Sequence, residues 1–190
     1  MAAEPNAATP ATPAGGATRT VRDHLGPLAL VGGRWIIGDH ERRAHLTFEP
    51  EGLVHRVLGR DPHPVPWDRL MELGVAVTVD RFSSSRFGGL LTRTPGITTH
   101  GSCLRATVRH PYDLWSPDFS HHRGFYSARE IVLLDVLLDV VVARKRAELL
   151  GDAAWLTGAV DRVGRHRFAV KWRSEGDVVR IVDELLARTS

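Results

Sequence analysis

Residues 127–151 read SAREIVLLDVLLDVVVARKRAELLG, and this stretch decides the fold class. Ser127 and Glu130 have the spacing of a capping box, in which the two side chains satisfy free N–H groups of the first helical turn. No glycine or proline follows until Gly151, a residue type that commonly ends helices. The pattern therefore predicts one helix that begins after Ser127 and continues to Leu150.

The predicted helix is apolar around most of its circumference. At 100° per residue, Asp135, Asp139, Val142 and Arg146 fall in one narrow strip, and nearly every other direction in the middle of the helix is apolar. A helix with so wide an apolar surface is buried on more than one side, so several elements must cover it. We interpret the two aspartates as a solvated strip; the alternative is a carboxylate pair suited to acid–base chemistry.

The segment after Gly151 is predicted to cover this helix. It contains two apolar stripes at helical spacing, so a helical C-terminal segment is expected. The stripes are Leu156, Ala159, Val160 and Val163, then Val178, Ile181, Val182 and Leu185.

The residues before the helix predict antiparallel strands. Residues 28–37 form an apolar run, and residues 44–49 alternate apolar and polar side chains with period two. Pro50-Glu51-Gly52 is typical of a turn, so residues 53–58 are expected to return as the second arm of a hairpin. Further strands are predicted at residues 75–79 and 103–108, with residues 64–70 extended and leading into a short turn.

Together these patterns predict an α+β fold. We expect a bent antiparallel sheet, or a partly open barrel, packed on the long buried helix with the helical segment 151–190 as a further cover. Residues 21–190 have the length and the 43% hydrophobic content of a single globular domain. Residues 1–20 are rich in alanine, threonine and proline, which predicts a disordered tail.

Three motifs resemble those of bacterial proteins with a pleckstrin-homology-like domain. They are Gly33-Arg34-Trp35, the hairpin at residues 46–53, and Val65-Pro66-Trp67-Asp68-Arg69-Leu70 before a valine-rich strand. The resemblance spans about residues 28–150 and implies a partly open antiparallel barrel capped by the Ser127–Leu150 helix. It also implies binding of peptides, proteins or lipid surfaces instead of chemistry. The scarcity of lysine, present only at Lys145 and Lys171, is typical of high-GC actinobacterial genomes.

Composition favours a cytoplasmic protein without a cofactor. Cys103 is the single cysteine, so no intrachain disulfide can form. The N-terminal sequence lacks the basic and apolar regions of a signal peptide, and residues 131–143 are too short and too charged to span a bilayer. No nucleotide, metal or cofactor motif is present, so we expect no cofactor.

A metal-dependent or hydrolytic enzyme is the first alternative to a binding protein, and it centres on residues 100–122. This segment contains imidazoles and carboxylates that could ligate zinc, iron or manganese, although their spacing matches no named motif. His100, Ser102 and Cys103 add a base and two nucleophiles. The candidate metal ligands are His110, Asp113, Asp118, His121 and His122.

Two segments are candidates for anion or nucleic-acid binding. The first, in a loop at residues 81–102, offers guanidinium and hydroxyl groups that suit phosphate: Arg81, Ser83, Ser84, Ser85 and Arg86. The second interleaves basic residues with Phe168 and Trp172 and contains no acidic residue: Arg162, Arg165, Arg167, Lys171 and Arg173. A solvated surface is the competing interpretation of each.

The sequence favours a non-enzymatic binding module whose partner is another protein or a second copy of itself. This interpretation rests on the strand order, the Ser127 helix and the lack of a convergent polar cluster. The enzyme, and nucleic-acid or anion binding, remain as alternatives.

Overall fold

The computed structural model describes residues 21–78, 97–98, 101–122, 126–166 and 174–189, and it confirms the α+β class. Six antiparallel strands form a first sheet in sequential order: β1 (His24–Leu25), β2 (Leu28–Val31), β3 (Arg34–Ile37), β4 (Ala44–Glu49), β5 (Gly52–Val57) and β6 (His63–Pro66). A 3-10 helix, Trp67–Arg69, leads into a second sheet of β7 (Leu70–Thr78), β9 (Cys103–Val108) and β10 (Asp113–Trp115), with the short β8 (Ile97–Thr98) parallel to β7. The helices are α1 (Ala128–Ala143), α2 (Ala153–Arg165) and α3 (Ser174–Ala187), with a 3-10 helix at Ala147–Gly151.

The first sheet confirms the predicted hairpin of β4 and β5, whose paired ends are Glu49 and Gly52. The apolar run at residues 28–37 forms two antiparallel strands, β2 and β3, joined by a tight turn. Gly32 and Gly33 both have positive φ, at 57° and 81°. A two-residue hairpin turn of this kind needs left-handed conformations at both positions, which glycine adopts at low cost.

A short segment before α1 joins the two sheets. Ser120 makes two hydrogen bonds with Ala44 of β4: its backbone N–H donates to the Ala44 carbonyl, and its Oγ accepts the Ala44 N–H. The ring of His55, on β5, contacts the carbonyl oxygen of Asp118 at 3.0 Å. On the other side, the Leu104 N–H of β9 donates to the Pro117 carbonyl. Residues 117–120 therefore connect the edge of the second sheet to the face of the first.

Helix α1 begins where the sequence predicts, because the Ser127 Oγ accepts the Glu130 N–H. It packs along β7 and also contacts β1, α2 and α3. Its buried positions include Leu133, Leu134 and Leu137, all without solvent exposure. Helix α1 therefore has neighbours in the second sheet and in both helices of the C-terminal segment.

The predicted end of α1 at Leu150 is wrong, because the helix stops at Ala143. Lys145 adopts a positive φ of 58°. The Lys145 N–H donates to the Val142 carbonyl, and the Arg146 N–H donates to the Val141 carbonyl. These two bonds form a Schellman motif, which ends a helix in a left-handed residue. Glycine is the residue that usually occupies the left-handed position of this motif, but here the position is Lys145, so the sequence does not show where the helix ends.

Substituting Lys145 with glycine should stabilise the protein by about 1 kcal/mol, because a side chain in the left-handed region costs energy that glycine avoids. The free energy of unfolding in urea measures this gain. Lys145→Ala is the matched control, since it removes the same charge but keeps a Cβ. A gain of equal size in Lys145→Ala would show that charge, and not backbone conformation, is responsible.

Both C-terminal apolar stripes are confirmed as helices, α2 and α3. Asp152 caps α2 by accepting the Ala154 and Trp155 N–H groups. The inner faces of α2 and α3 bury Leu156, Val163, Val178 and Val182, among others. Within the described ranges, no helix is both long enough and apolar enough to cross a membrane.

Candidate functional site

A cleft lies between α1 and the second sheet. It encloses about 560 Å³ and is open to solvent on one side. We call it the α1–β9 cleft. Its walls come from β7, β9, the β10 region and α1, so it depends on long-range packing. The lining residues are Glu72, Leu73, Gly74, Arg105, Ala106, Thr107, Leu114, Ser116, Asp135, Val136 and Asp139.

Asp135 lies at the base of this cleft, and its predicted place on a solvated strip is wrong. Only 9% of its side chain is exposed. Its Oδ1 accepts the backbone N–H of Val75 at 2.8 Å and lies 3.4 Å from Nη2 of Arg105. The carboxylate therefore ties α1 to β7. The second aspartate of the predicted strip, Asp139, is exposed as expected.

Gly74 makes this approach possible. A Cβ at position 74 would lie 2.7 Å from Asp135 Oδ1 and 3.3 Å from Arg105 Nη2. Both distances are below van der Waals contact, so any larger residue would push the carboxylate away from β7. Glycine inside a strand often marks such a close approach.

Burial raises the pKa of the Asp135 carboxyl, because the charged form loses its hydration. The Val75 N–H and Arg105 act in the opposite direction and lower the pKa, whereas Asp139 raises it further. A carboxyl group in this environment gains from a positively charged neighbour, which would favour its ionised form.

The hydrogen bonds of the Asp135 side chain converge on one oxygen. Within the described residues, both of them end on Oδ1. Asp135 also lines the cleft, so its carboxylate forms part of the cleft wall.

The rim of the cleft is acidic and partly apolar. Glu72 accepts a hydrogen bond from the Thr107 hydroxyl at 2.7 Å, across β7 and β9. Glu72, Asp135 and Asp139 place three carboxylates in the lining against the single guanidinium of Arg105. Leu114, on β10, is 80% exposed. The cleft therefore combines negative charge with an exposed apolar side chain.

Two sequence features could have indicated this site: a glycine inside a valine-rich strand, and an aspartate in an otherwise apolar helix. Each has an ordinary explanation when taken alone. Their significance comes from the packing of Asp135 against Gly74, 61 positions away along the chain.

The first anion-binding candidate lies outside the described residues, which exclude Arg81, Ser83, Ser84, Ser85 and Arg86. In the second, Arg162 pairs with Glu184 at 2.6 Å and Arg165 pairs with Asp161 at 2.6 Å. Both guanidinium groups already face carboxylates. The other three residues of this candidate, Arg167, Lys171 and Arg173, also lie outside the described residues.

The candidate metal ligands are not brought together. His110 is exposed in the turn between β9 and β10, Asp113 is exposed at the start of β10, and Asp118 is exposed near β5. His122 Nδ1 lies 2.8 Å from the Tyr126 hydroxyl, and burial lowers the pKa of this histidine. Within the described part of the chain, no group of three or more His, Cys, Asp or Glu residues is placed to hold a metal ion.

One pair suited to nucleophilic chemistry forms within the described residues, Ser102 with His121, whereas the predicted base His100 lies outside them. The Ser102 Oγ contacts Nε2 of His121 directly. The same oxygen accepts the Thr78 N–H at 2.9 Å, and Ser102 is buried. Cys103 is half-buried, and burial raises the pKa of its thiol, which disfavours the reactive thiolate. The bonds of Ser102 connect β7 to the segment before α1.

Comparison with protein-family models, with curated proteins and with solved structures found no match to this chain.

Proposed function

We propose that this chain is a non-enzymatic binding module that holds a protein partner in the α1–β9 cleft. The observation that carries the proposal is the cleft itself: a concave site with a buried polar group at its base and an exposed apolar side chain at its rim. Ligand sites commonly combine these features. The sequence resemblance to pleckstrin-homology-like proteins, which implies peptide or protein binding, supports the same proposal.

The arrangement of the cleft supports binding more than catalysis. Asp135 is engaged by a backbone N–H and by Arg105, and within the described residues its side chain makes no hydrogen bond to a serine, threonine, cysteine or histidine. Such a fixed carboxylate suits the recognition of a ligand. We also propose a cytoplasmic location, supported by the single cysteine, since a reducing compartment fits a chain with no cysteine pair.

Affinity capture from a nuclease-treated lysate tests this proposal. Thr107→Trp would fill the cleft from β9, so we expect it to lose most of the protein partner that the wild type retains. Leu58→Trp is the control, because Leu58 is 83% exposed and does not line the cleft. Equal capture by all three proteins would contradict binding in the cleft. Loss of every partner on nuclease treatment would favour the basic segment at residues 162–173 instead.

A hydrolytic function is the second candidate, and the contact between Ser102 and His121 favours it. A serine nucleophile needs such a base within hydrogen-bonding distance. Covalent labelling of Ser102 by a fluorophosphonate, lost in His121→Ala, would support this candidate. An unlabelled wild-type protein would count against it. We rank it second because the hydroxyl is buried and its oxygen already accepts the Thr78 N–H.

A further inference from the structure

We propose that residues 117–122 form a pH-sensitive latch, which connects the two sheets at neutral pH and is released in mildly acidic solution when His122 takes up a proton. We call these residues the histidine latch. The inference goes beyond the proposed function, because it concerns a change within the fold and needs no partner. It starts from the contacts between His122 and Tyr126.

Tyr126 closes a hydrogen-bonded circuit with His122. The Tyr126 hydroxyl oxygen accepts the backbone N–H of His122 at 2.9 Å and lies 2.8 Å from Nδ1 of the same residue. A hydroxyl has one hydrogen to donate, and an unprotonated imidazole nitrogen can accept it. The circuit is therefore complete when Nδ1 carries no proton, because the hydroxyl then accepts from the backbone and donates to the ring.

Protonation of His122 would break this circuit. Both ring nitrogens of an imidazolium are donors, so Nδ1 could no longer accept the hydroxyl hydrogen of Tyr126. The hydroxyl oxygen would face two donors, and its own hydrogen would lose its acceptor. Tyr126 is half-buried, and a polar group that loses its partner away from water is costly.

The surroundings of His122 also oppose its protonation. Burial lowers the pKa of His122, because the charged form loses its hydration. Asp39 raises this pKa, but its carboxylate already pairs with Arg42 at 3.1 Å. His40, His121 and Arg42 lower the pKa further. The closed latch therefore favours the neutral imidazole.

His55, on β5, gives the histidine latch a second titratable contact. Its Nε2 lies 3.0 Å from the Asp118 carbonyl oxygen, and its ring is edge-on to Trp115 of β10, with ring centroids 6.3 Å apart. Burial lowers the pKa of His55, Asp118 raises it, and the cations His63 and Arg60 lower it. His63 is the cross-strand partner of His55, so protonation would place two positive rings side by side.

Histidines are concentrated at this junction. Burial lowers the pKa of His45, on β4, and its cross-strand partner Arg56 lowers it further. His40 and His55 also lower this pKa, whereas Asp39 raises it. Histidine is the side chain that ordinarily changes charge between pH 5 and 8, so mild acid acts on this junction at several positions. Six of the ten histidines lie in the latch or on the strands and turn beside it: His40, His45, His55, His63, His121 and His122.

Two backbone amides report whether the histidine latch is closed on the first sheet. The Asp39 N–H donates to the Ser120 carbonyl, and the Ser120 N–H donates to the Ala44 carbonyl, both at 2.8 Å. Release would expose both amides to solvent. Ser116, which lines the α1–β9 cleft, directly precedes the latch, so release would also loosen one wall of the cleft.

Hydrogen exchange followed by NMR tests this inference at the Asp39 and Ser120 amides. The open segment binds a proton on His122 that the closed segment excludes. With an ordinary histidine pKa of about 6.5 in the open form, His122 alone should raise the opening equilibrium about tenfold between pH 7.5 and 5.5, after correction for intrinsic exchange rates. The stabilisation is therefore present above that pKa and is lost as the pH falls below it.

Two asparagine variants provide the matched comparison. His122→Asn keeps an acceptor near the Nδ1 position but does not titrate, so its pH-dependent increase in opening should be at least about threefold smaller than that of the wild type. His24→Asn should keep the increase of the wild type, because His24 is exposed on β1 and outside the latch.

Tyr126→Phe tests the circuit without changing a histidine. It removes the hydroxyl and keeps the ring, so opening at pH 7.5 should increase about fivefold, the usual effect of losing one hydrogen bond. Unchanged opening in this variant would contradict the proposed circuit.

Two further results would overturn the latch. One is an increase below about twofold in the wild type, or an equal increase in His122→Asn. The other is equal protection of the Ser120 amide and the amide of Leu134, in the core of α1, at pH 5.5. Equal protection would show that the segment opens only when the whole chain unfolds.

Discussion

Replacing Trp35 with alanine should lower the free energy of unfolding by about 3–5 kcal/mol, the usual cost of deleting a large buried aromatic side chain. Trp35 is 1% exposed and lies on β3 of the first sheet. Its Nε1 donates to the Thr157 hydroxyl at 3.2 Å and lies 3.3 Å from the Ala153 carbonyl oxygen. Both acceptors belong to α2. The substitution therefore leaves a cavity and removes a link between the first sheet and the helices.

Denaturation in urea, followed by circular dichroism, measures this loss. Arg34→Ala is the control, because Arg34 is the neighbouring residue on the same strand and is exposed. We expect that control to change stability by no more than about 0.5 kcal/mol. A loss below about 1 kcal/mol in Trp35→Ala would show that the first sheet and α2 do not pack as described.

Replacing Gly151 with alanine should cost about 3 kcal/mol, because the new methyl group has no space. A Cβ at this position would lie 2.5 Å from the Glu49 carbonyl oxygen, 2.7 Å from Nε1 of Trp67 and 3.1 Å from Cα of Pro50. Trp67 also donates its indole N–H to that same carbonyl oxygen at 2.9 Å. The substitution would therefore displace backbone atoms and weaken a partly buried hydrogen bond.

Gly158 offers a control with the same chemical change and the opposite sign. It is exposed in α2, and no atom outside its own helix and chain neighbours lies within 4 Å of its Cβ position. Alanine there should stabilise the protein by about 0.5–1 kcal/mol, because glycine disfavours helices. The midpoints of thermal unfolding of Gly151→Ala and Gly158→Ala should shift in opposite directions relative to the wild type. A Gly151→Ala variant with the stability of the wild type would contradict the close packing of the 3-10 helix Ala147–Gly151 on the end of β4.

The elements that the sequence predicts correctly depend on local rules. The start of α1 follows from the side chain of Ser127, and the β4–β5 hairpin follows from alternation around Pro50-Glu51-Gly52. The end of α1 was predicted wrongly because lysine, instead of glycine, takes the left-handed position at residue 145. Local patterns therefore predict an element well when the residue types that usually adopt its backbone conformation occupy the expected positions.

The α1–β9 cleft could not be predicted, because it arises from contacts between distant segments. Asp135 appears solvated when the helix is considered alone, and only the neighbouring β7 shows that it is buried. Periodicity assigns a residue to a face of its own helix, but it does not show which segment covers that face. The metal and nucleophile candidates have the same limitation: among the described candidates, the structure brings together the side chains of Ser102 and His121, which no sequence spacing indicated.

Photo-crosslinking at Leu114 tests the central claim, that the α1–β9 cleft holds a protein partner. Benzoylphenylalanine replaces Leu114 in one protein and Leu58 in another, since both leucines are exposed to nearly the same extent, 80% and 83%. After irradiation in a nuclease-treated lysate, we predict a defined crosslinked product from position 114 and none from position 58. The same product from both positions, or a product from position 58 alone, would contradict the claim.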